Sequence, residues 1–240
     1  MFQRMLASAL IAGCAAGLLA ALLHFAFVQE LILLGETYES GEAVHAPFGG
    51  ADHTHATEEP PGDGHDHSHG ASDESQLVRN AWTVLFSGLV YVAYAMLLVA
   101  GFGLAENFGR QIGPVEGTLW GIAGFAAFQL APAMGLAPEL PGSVAADLGE
   151  RQVWWWLAVT ATGVALALVA YLRRPWAIGL AVALLAAPHI VGAPELDEFY
   201  GIAPPEVAAS FAARVLGVGL AVWTVLGWTA GVFWSRGKTQ

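Results

Sequence analysis

The sequence is poor in charge, and above all in positive charge. Only nine of its 240 residues are Lys or Arg, against twenty Asp or Glu, so the formal net charge is −11 and charged residues make up 12%. Such acidity would repel nucleic acid, which excludes a nucleic-acid partner. With 56% hydrophobic residues and a mean hydropathy of +0.56, the chain is also not an ordinary soluble domain.

Cysteine is almost absent as well. Cys14 is the only one, so no internal disulfide can form and thiols do not indicate a compartment. The letters "IAGC" at 11–14 leave a cleaved lipoprotein signal as an alternative, but the apolar run continues past Cys14, which favours a retained helix. No G-x-x-x-x-G-K-S/T segment occurs, and no catalytic arrangement of Ser, His, Asp or Cys stands out, so we expect neither ATP hydrolysis nor an enzyme.

Long apolar stretches dominate what is present. A hydrocarbon core of about 30 Å takes roughly 20 helical residues, and six stretches approach or reach that length. Because backbone groups in lipid must be hydrogen-bonded internally, we expect an all-α, polytopic membrane helix bundle of about six transmembrane helices. Five are the alternative, since the fifth stretch is short and contains Pro188. The predicted stretches are 5–34, 81–104, 117–136, 153–172, 176–191 and 207–234.

The predicted organisation is a first transmembrane helix over 1–34, a polar loop over 35–80 and the remaining bundle over 81–240. Cytoplasmic ends of membrane helices retain Lys and Arg. With six spans and an internal N-terminus, six basic residues fall inside and three outside, which predicts that both termini are cytoplasmic and the loop external. The inner set is Arg4, Arg110, Arg173, Arg174, Arg236 and Lys238, and the outer set is Arg79, Arg151 and Arg214.

The loop over 35–80 is acidic and rich in histidine. It holds ten of the twenty acidic residues and little that is hydrophobic, so we expect it to be largely disordered. Its histidines alternate with acidic or small residues, as in "GHDHSHG" at 64–70. Imidazole is the commonest neutral metal ligand, and this spacing lets a flexible chain wrap several nitrogens around one divalent ion. A soluble linker without metal is the alternative. The predicted ligands here are His53, His55, His65, His67 and His69.

Ionisable residues also occur at or near membrane depth. His24 lies in the first stretch, and that helix is expected to run on into "GETYE", where Glu36 and Glu39 share one face. In the fifth stretch His189 follows Pro188, whose missing N–H frees a carbonyl one turn earlier. Such groups are costly in a bilayer and usually face a bundle interior or a wet path. We therefore predict His24, Glu36, Glu39 and His189 as metal ligands, with a packing role as the alternative for each histidine.

Three further patterns carry weaker predictions. In the third stretch "FQLAPAMG" combines a polar amide, a helix-breaking proline and a soft thioether, a second candidate for a local break at an ion site. Glycines spaced four apart predict close helix contacts, and three consecutive tryptophans predict interface anchors. The residues are Gln129, Pro132 and Met134; the pairs Gly13 and Gly17, Gly117 and Gly121, Gly227 and Gly231; and Trp154, Trp155 and Trp156.

Several motifs together resemble one family. In order they are "MFQRMLASALIAG", "GETYE", "APELPG" leading to "RQVWWW", and "PHIVGAP", and they cover nearly the whole chain. They resemble CbtA, a family of predicted cobalt transporter subunits. The resemblance implies a bacterial inner-membrane protein of cobalt uptake for cobalamin synthesis, so that the loop placed outside by the charge distribution is expected in the periplasm. The resemblance also implies a small, one-span, His-containing protein (CbtB-like) as a possible partner, and about five spans. An oligomer is a further option.

These observations favour a permease subunit that gathers a divalent transition metal outside the membrane and passes it inward. Cobalt is the first candidate, with nickel or zinc as alternatives. Two other classes stay open. One is a membrane redox protein that holds a haem between His24 and His189. The other is a metal-binding scaffold or sensor that does not transport.

Overall fold

The computed structural model describes residues 2–43, 69–172, 174–196 and 201–236, and the described chain is helical apart from short connections. The predicted all-α fold is confirmed, and each of the six apolar stretches is helical. The elements are α1 (Phe2–Phe27), α2 (Gln29–Glu39), α3 (His69–Asn107), α4 (Pro114–Phe125), a π-turn (Ala126–Leu130), α5 (Ala131–Ala133), α6 (Leu148–Tyr171), α7 (Pro175–Val191) and α8 (Pro205–Arg236).

Four of these helices are long and apolar enough to cross a membrane. They contain the segments Met5–Phe27, Ser75–Asn107, Leu148–Tyr171 and Pro205–Arg236. Helix α7 is shorter, at 17 residues, or about 26 Å at the helical rise. The predicted third stretch is a chain of α4, the π-turn and α5, which together cover 114–133 and extend for about 30 Å. The protein is thus a membrane helix bundle. Its third predicted stretch is interrupted by the π-turn, and its fifth is a short helix.

Neighbouring helices are antiparallel, which defines two ends of the bundle. Gly13 of α1 lies beside Val92 of α3, and Gly117 of α4 lies beside Gly231 of α8. The turn between α3 and α4 is joined to the end of α6 by Arg110, which donates to a carbonyl there. Helix α1 therefore begins at the same end of the bundle at which α8 finishes, as an even number of crossings requires. We name this the termini end and the opposite one the loop end.

Helices α1, α3, α4 and α8 form one core, and its tightest contacts are between glycines. A Cβ atom on Gly17 would lie 2.6 Å from the Cα of Gly88, and one on Gly121 would lie 3.0 Å from the Cα of Gly227. Larger residues would force these helices apart. The predicted close contacts at glycines four residues apart are therefore confirmed. Large aromatic side chains fill the space between, among them the fully buried Trp223 and Trp234.

Helices α6 and α7 form a hairpin beside this core. Among the described helices, α7 packs against α6 alone. Helix α6 meets the rest of the bundle chiefly at the π-turn and α5, near the loop end, and only slightly at α4. At the termini end, Arg110 and Phe108 of the α3–α4 turn contact Ala170 and Tyr171 of α6. The hairpin therefore joins the rest of the bundle near its two ends, and α6 stands away from α3 and α4 between them.

Candidate functional site

The loop end carries the two predicted carboxylate ligands of α2. Glu36 is half-buried and forms an ion pair with Arg79 of α3, with 3.3 Å between Oε2 and Nη1. Glu39 lies one turn further along the same face, where its side chain packs against Gly142. That glycine has a φ of +77°, which only glycine adopts readily, and this lets the connection before α6 pass close to α2. Glu39 forms no ion pair with any described residue, so of the two carboxylates predicted as ligands it is the one free of an ion pair in the described chain.

The other basic residues of this end are also paired. Arg151 and Glu139 are 2.9 Å apart, and Arg214 donates to the carbonyl of Phe27 at 2.9 Å while lying 3.9 Å from Glu30. These arginines are the ones that the sequence places outside the membrane. Each positive charge described at the loop end is thereby matched by a carboxylate. Further acids without a described ion pair, Glu39, Glu42, Glu195 and Glu206, leave this end negative and attractive to cations.

His24 lies in the last turn of α1, toward the loop end. It is half-buried, and its ring meets the edge of the Phe25 ring with 5.8 Å between centroids. Neither ring nitrogen is hydrogen-bonded to a described residue. The packing role that the sequence left as an alternative would bond such a histidine to a neighbouring helix, and the described part of the chain provides no such bond.

His189 lies at a contact between α6 and α7 that consists of a hydrogen bond and a ring contact. The carbonyl of Pro188 accepts a hydrogen bond from the indole Nε1 of Trp154 at 3.0 Å, and a second from the N–H of Gly192 at 3.1 Å. The Trp154 ring meets the His189 ring edge-on, with 5.8 Å between centroids. Because proline has no N–H, the carbonyl of Leu184 receives no helical bond from residue 188. An imidazole and an incomplete helical turn therefore lie together at the loop end of α7.

Trp154 is the residue of this contact that sequence reasoning missed. The sequence predicts it as an interface anchor, yet it is 4% exposed, whereas Trp156 is 58% exposed and suits that role. Gly135 lies against the Trp154 indole, where a Cβ atom would come within 2.5 Å of the ring. Successive helical residues point about 100° apart, so three consecutive tryptophans cannot all face lipid. The three consecutive positions are therefore the sequence signal that at least one of these tryptophans faces the protein interior.

The π-turn lies in the segment "FQLAPAMG", the second predicted helix break at an ion site. Single π-turns inside helices are frequent at functional sites. The Oε1 atom of Gln129 is buried, has no hydrogen-bond partner in the part of the chain that the structure describes, and faces Gly219 of α8. By contrast, Met134 is 71% exposed, so its thioether does not point into the bundle. Gln129 is thus the polar group of this segment that lies inside the protein.

The predicted metal ligands are not assembled into one site by the described residues. Within 2–43, 69–172, 174–196 and 201–236, no three His, Cys, Asp or Glu side chains are placed to hold a metal ion. His24 and His189 lie on α1 and α7, which make no contact with each other. His53, His55, His65 and His67 lie outside the described residues, and of His69 only the backbone, at the start of α3, is described.

A bundle of apolar helices with carboxylates gathered at one end defines the chain as a multi-pass helical membrane protein. It belongs to the CbtA family, because the family model described as "Probable cobalt transporter subunit (CbtA)" matches residues 2–235. The chain is accordingly a probable cobalt transporter subunit, which implies a metal ion as substrate. The word subunit implies further chains. Neither a curated protein nor a solved structure matches the chain.

Proposed function

We propose that this chain is the permease subunit that carries cobalt inward across the bacterial inner membrane, for cobalamin synthesis. The observation that carries the proposal is the difference in charge between the two ends of the bundle. At the loop end every described arginine is matched by a carboxylate and several acids are left over. A negative entrance raises the local concentration of a cation before it meets the helices.

The loop end faces the periplasm in this proposal. Arg110, Arg174 and Arg236 lie at the termini end, which is the retention of basic residues expected of a cytoplasmic face. Both termini are then cytoplasmic. Reporter fusions at Gln240 and within 51–70 test this orientation, and a periplasmic signal from Gln240 would contradict it.

The proposed capture step belongs to the His-rich loop. The segment between α2 and α3 starts and finishes at the loop end, beside the surplus acids. Its predicted ligands, His53, His55, His65, His67 and His69, are close in sequence and can bind one divalent ion without a folded framework. Cobalt is the ion we propose, and nickel and zinc are competitors to be tested against it.

The proposed path runs from this entrance into the bundle. An ion that leaves water needs replacement ligands at each step. Glu39 has no described ion pair, His189 lies beside an incomplete helical turn, and Gln129 has a buried oxygen with no hydrogen-bond partner among the described residues. His24 and Glu36 complete the set of proposed ligands. Glu36 would have to leave Arg79 in order to bind the ion.

The proposed partner is a small, one-span, His-containing protein (CbtB-like). The support is the family resemblance of the motifs, together with the family's description as a transporter subunit. Membrane lipid surrounds the bundle, and an oligomer of the chain is a further assembly that the proposal allows.

Uptake of radiolabelled cobalt by cells that express the chain tests the proposal. The wild type is compared with a variant in which the five loop histidines are replaced by asparagine, so that length and acidity are kept. We expect the variant to need a several-fold higher cobalt concentration for half-maximal uptake, with an unchanged maximal rate, because the loop supplies local concentration only.

Two results would contradict it. Uptake by the wild type no greater than by cells with an empty vector would remove the transport function. A normally inserted asparagine variant with no uptake at all would show that the loop is part of the path.

A further inference from the structure

A large cleft lies between α3, α4 and α6. Its volume is about 710 Å³, and small residues form two of its walls: Ala123 and Ala127 on the side of α4 and the π-turn, and Gly163 and Ala167 on α6. A Cβ atom on Gly163 would meet nothing within 4 Å. The cleft exists because α6 contacts the rest of the bundle near its two ends and stands away from it in between, and these side chains are too small to fill the remaining space.

The cleft is apolar and opens sideways. Leu97 of α3 and Leu119 of α4 line it and are 57% and 62% exposed, and Trp120 forms part of its floor. In a membrane, this side of the bundle faces the acyl chains of the bilayer. Apolar walls do not hold water, and an empty space of this size would forgo many dispersion contacts. Because acyl chains surround this side of the bundle, a lipid chain is the molecule available to fill the cleft.

Two opposite charges stand at the termini end of the cleft. Arg110 donates from Nη2 to the carbonyl of Ala170 at 3.1 Å, and its guanidinium lies 5.6 Å from the centre of the Tyr171 ring. Arginine has five N–H donors, so others remain available. Glu116 accepts from the N–H of Gly113 through Oε2, at 3.0 Å. Arg110 and Glu116 line the same cleft but form no ion pair with each other within the described chain.

We propose that the cleft binds one phospholipid with an ethanolamine headgroup. Its acyl chain fills the space between α4 and α6. Its phosphate accepts hydrogen bonds from Arg110, whose planar guanidinium suits a phosphate, and its ammonium group lies beside the Glu116 carboxylate. The pair of charges selects the headgroup: a choline ammonium has no N–H to donate to Glu116, and a glycerol headgroup has no positive charge to offer. This site does not depend on cobalt transport.

Native mass spectrometry of the purified full chain tests the site with three lipids of identical acyl chains, carrying ethanolamine, choline or glycerol headgroups. We expect one tightly bound ethanolamine lipid per chain and weaker binding of the other two. Arg110→Gln should weaken ethanolamine-lipid binding roughly tenfold, because a charge-assisted hydrogen bond is lost. Glu116→Gln should remove the preference for ethanolamine over choline.

Two variants test the acyl-chain part of the cleft against matched controls. Ala167→Phe should abolish binding by filling the space, whereas Val164→Phe, at a 51% exposed position of the same helix that does not line the cleft, should bind as the wild type does. Gly163→Leu should also fill the cleft and abolish lipid binding. Its control is Gly179→Leu in α7, which does not line the cleft and should bind lipid as the wild type does. A thermal unfolding midpoint shows that each variant is folded.

The site is wrong if the wild type binds the three lipids equally or prefers the glycerol headgroup. It is also wrong if folded Ala167→Phe and Gly163→Leu proteins both keep the bound lipid, or if Val164→Phe loses it to the same degree.

Discussion

The four-helix core and the α6–α7 hairpin are held together in different ways. In the core, glycines let backbones touch, as at Gly121 and Gly227, and buried aromatic rings fill the gaps. The hairpin meets the rest of the bundle through a few side chains at its two ends. Near the loop end Trp154, which donates to the carbonyl of Pro188, packs on Gly135, and at the termini end Arg110 donates to the carbonyl of Ala170. Backbone contacts of the first kind tolerate little movement. Contacts through a few side chains can be rearranged.

This difference assigns the two regions different parts in transport. Rigid elements that slide or tilt against one another are the usual basis of conformational change in helical proteins. The hairpin contains Pro188 and His189, has little contact with the core and borders the α3–α4–α6 cleft. We therefore expect the hairpin to shift during transport while the core stays fixed. Three substitutions test this contrast and a fourth tests the carboxylates of the loop end, from the largest expected effect to the smallest.

Gly121→Ala should have the largest effect, because the added methyl group would meet the backbone of α8. We expect the free energy of unfolding to fall by about 3 kcal/mol, the upper end of the usual cost of overpacking. Chemical unfolding in detergent measures it. The control is Gly179→Ala in α7, where nothing lies within 4 Å and the change should stabilise the helix by roughly 0.5–1 kcal/mol. Equal effects at both positions would remove the distinction between core and hairpin.

Pro188→Ala should separate stability from function. The new N–H can donate to the carbonyl of Leu184, so the thermal unfolding midpoint should rise, since proline inside a helix costs about 3 kcal/mol relative to alanine. Cobalt uptake should fall several-fold because the incomplete turn is lost. Pro175→Ala, at the first position of the same helix, is the matched control and should change neither. Normal uptake by Pro188→Ala would show that the incomplete turn has no role.

Trp154→Phe should weaken the attachment of the hairpin. It keeps an aromatic ring but removes the indole donor to the buried carbonyl of Pro188, for an expected loss of about 1 kcal/mol in the free energy of unfolding. Trp156→Phe, at a 58% exposed position, should lie within about 0.5 kcal/mol of the wild type. A larger loss at Trp156 than at Trp154 would contradict the attachment described here.

Glu36→Gln should have the smallest effect on stability. Its ion pair with Arg79 is half-exposed, and such pairs contribute less than about 1 kcal/mol, a difference that salt should reduce further. Unfolding at low and high ionic strength measures this. Cobalt uptake separates the two roles of this carboxylate. A large loss of uptake with unchanged stability would support a role of Glu36 as a metal ligand. Unchanged uptake would contradict that role and leave the ion pair with Arg79 as the remaining role. Arg79→Gln is the control for the pair alone.

Much of the fold is predictable from the sequence, and the reason is physical. Backbone groups in lipid must be bonded within a helix, so hydropathy and length indicate the six stretches. The sequence predicts that the first helix runs on through Glu36 and Glu39; these residues are helical, but they lie in α2, which is separated from α1 at Val28. Glycines four apart predict which faces of the helices are closely packed, without identifying the partner helix. These features depend on local composition. None requires knowledge of a distant neighbour.

The remaining features depend on which helix lies opposite. The inward orientation of Trp154 and the space beside Gly163 arise from the position of α6, and the Gln129 oxygen, which has no hydrogen-bond partner among the described residues, lies where it does because α8 is opposite it. Hydropathy does not predict which helices lie opposite each other, because a leucine has the same hydropathy whether it faces lipid or another helix. The loop ligands His53 to His69 stay a prediction, since no described side chain tests them.

Cobalt transport into proteoliposomes tests the central claim most directly. Purified wild-type protein is compared with His189→Ala and with Ile190→Ala, whose neighbouring side chain is 81% exposed and serves as the matched control. A cobalt-sensitive dye inside the vesicles reports entry. We predict that the wild type and Ile190→Ala admit cobalt at equal rates, while His189→Ala falls to the rate of protein-free vesicles. Cobalt entry through folded His189→Ala protein at the wild-type rate would contradict the proposed path, and no entry with the wild type would contradict transport by this chain.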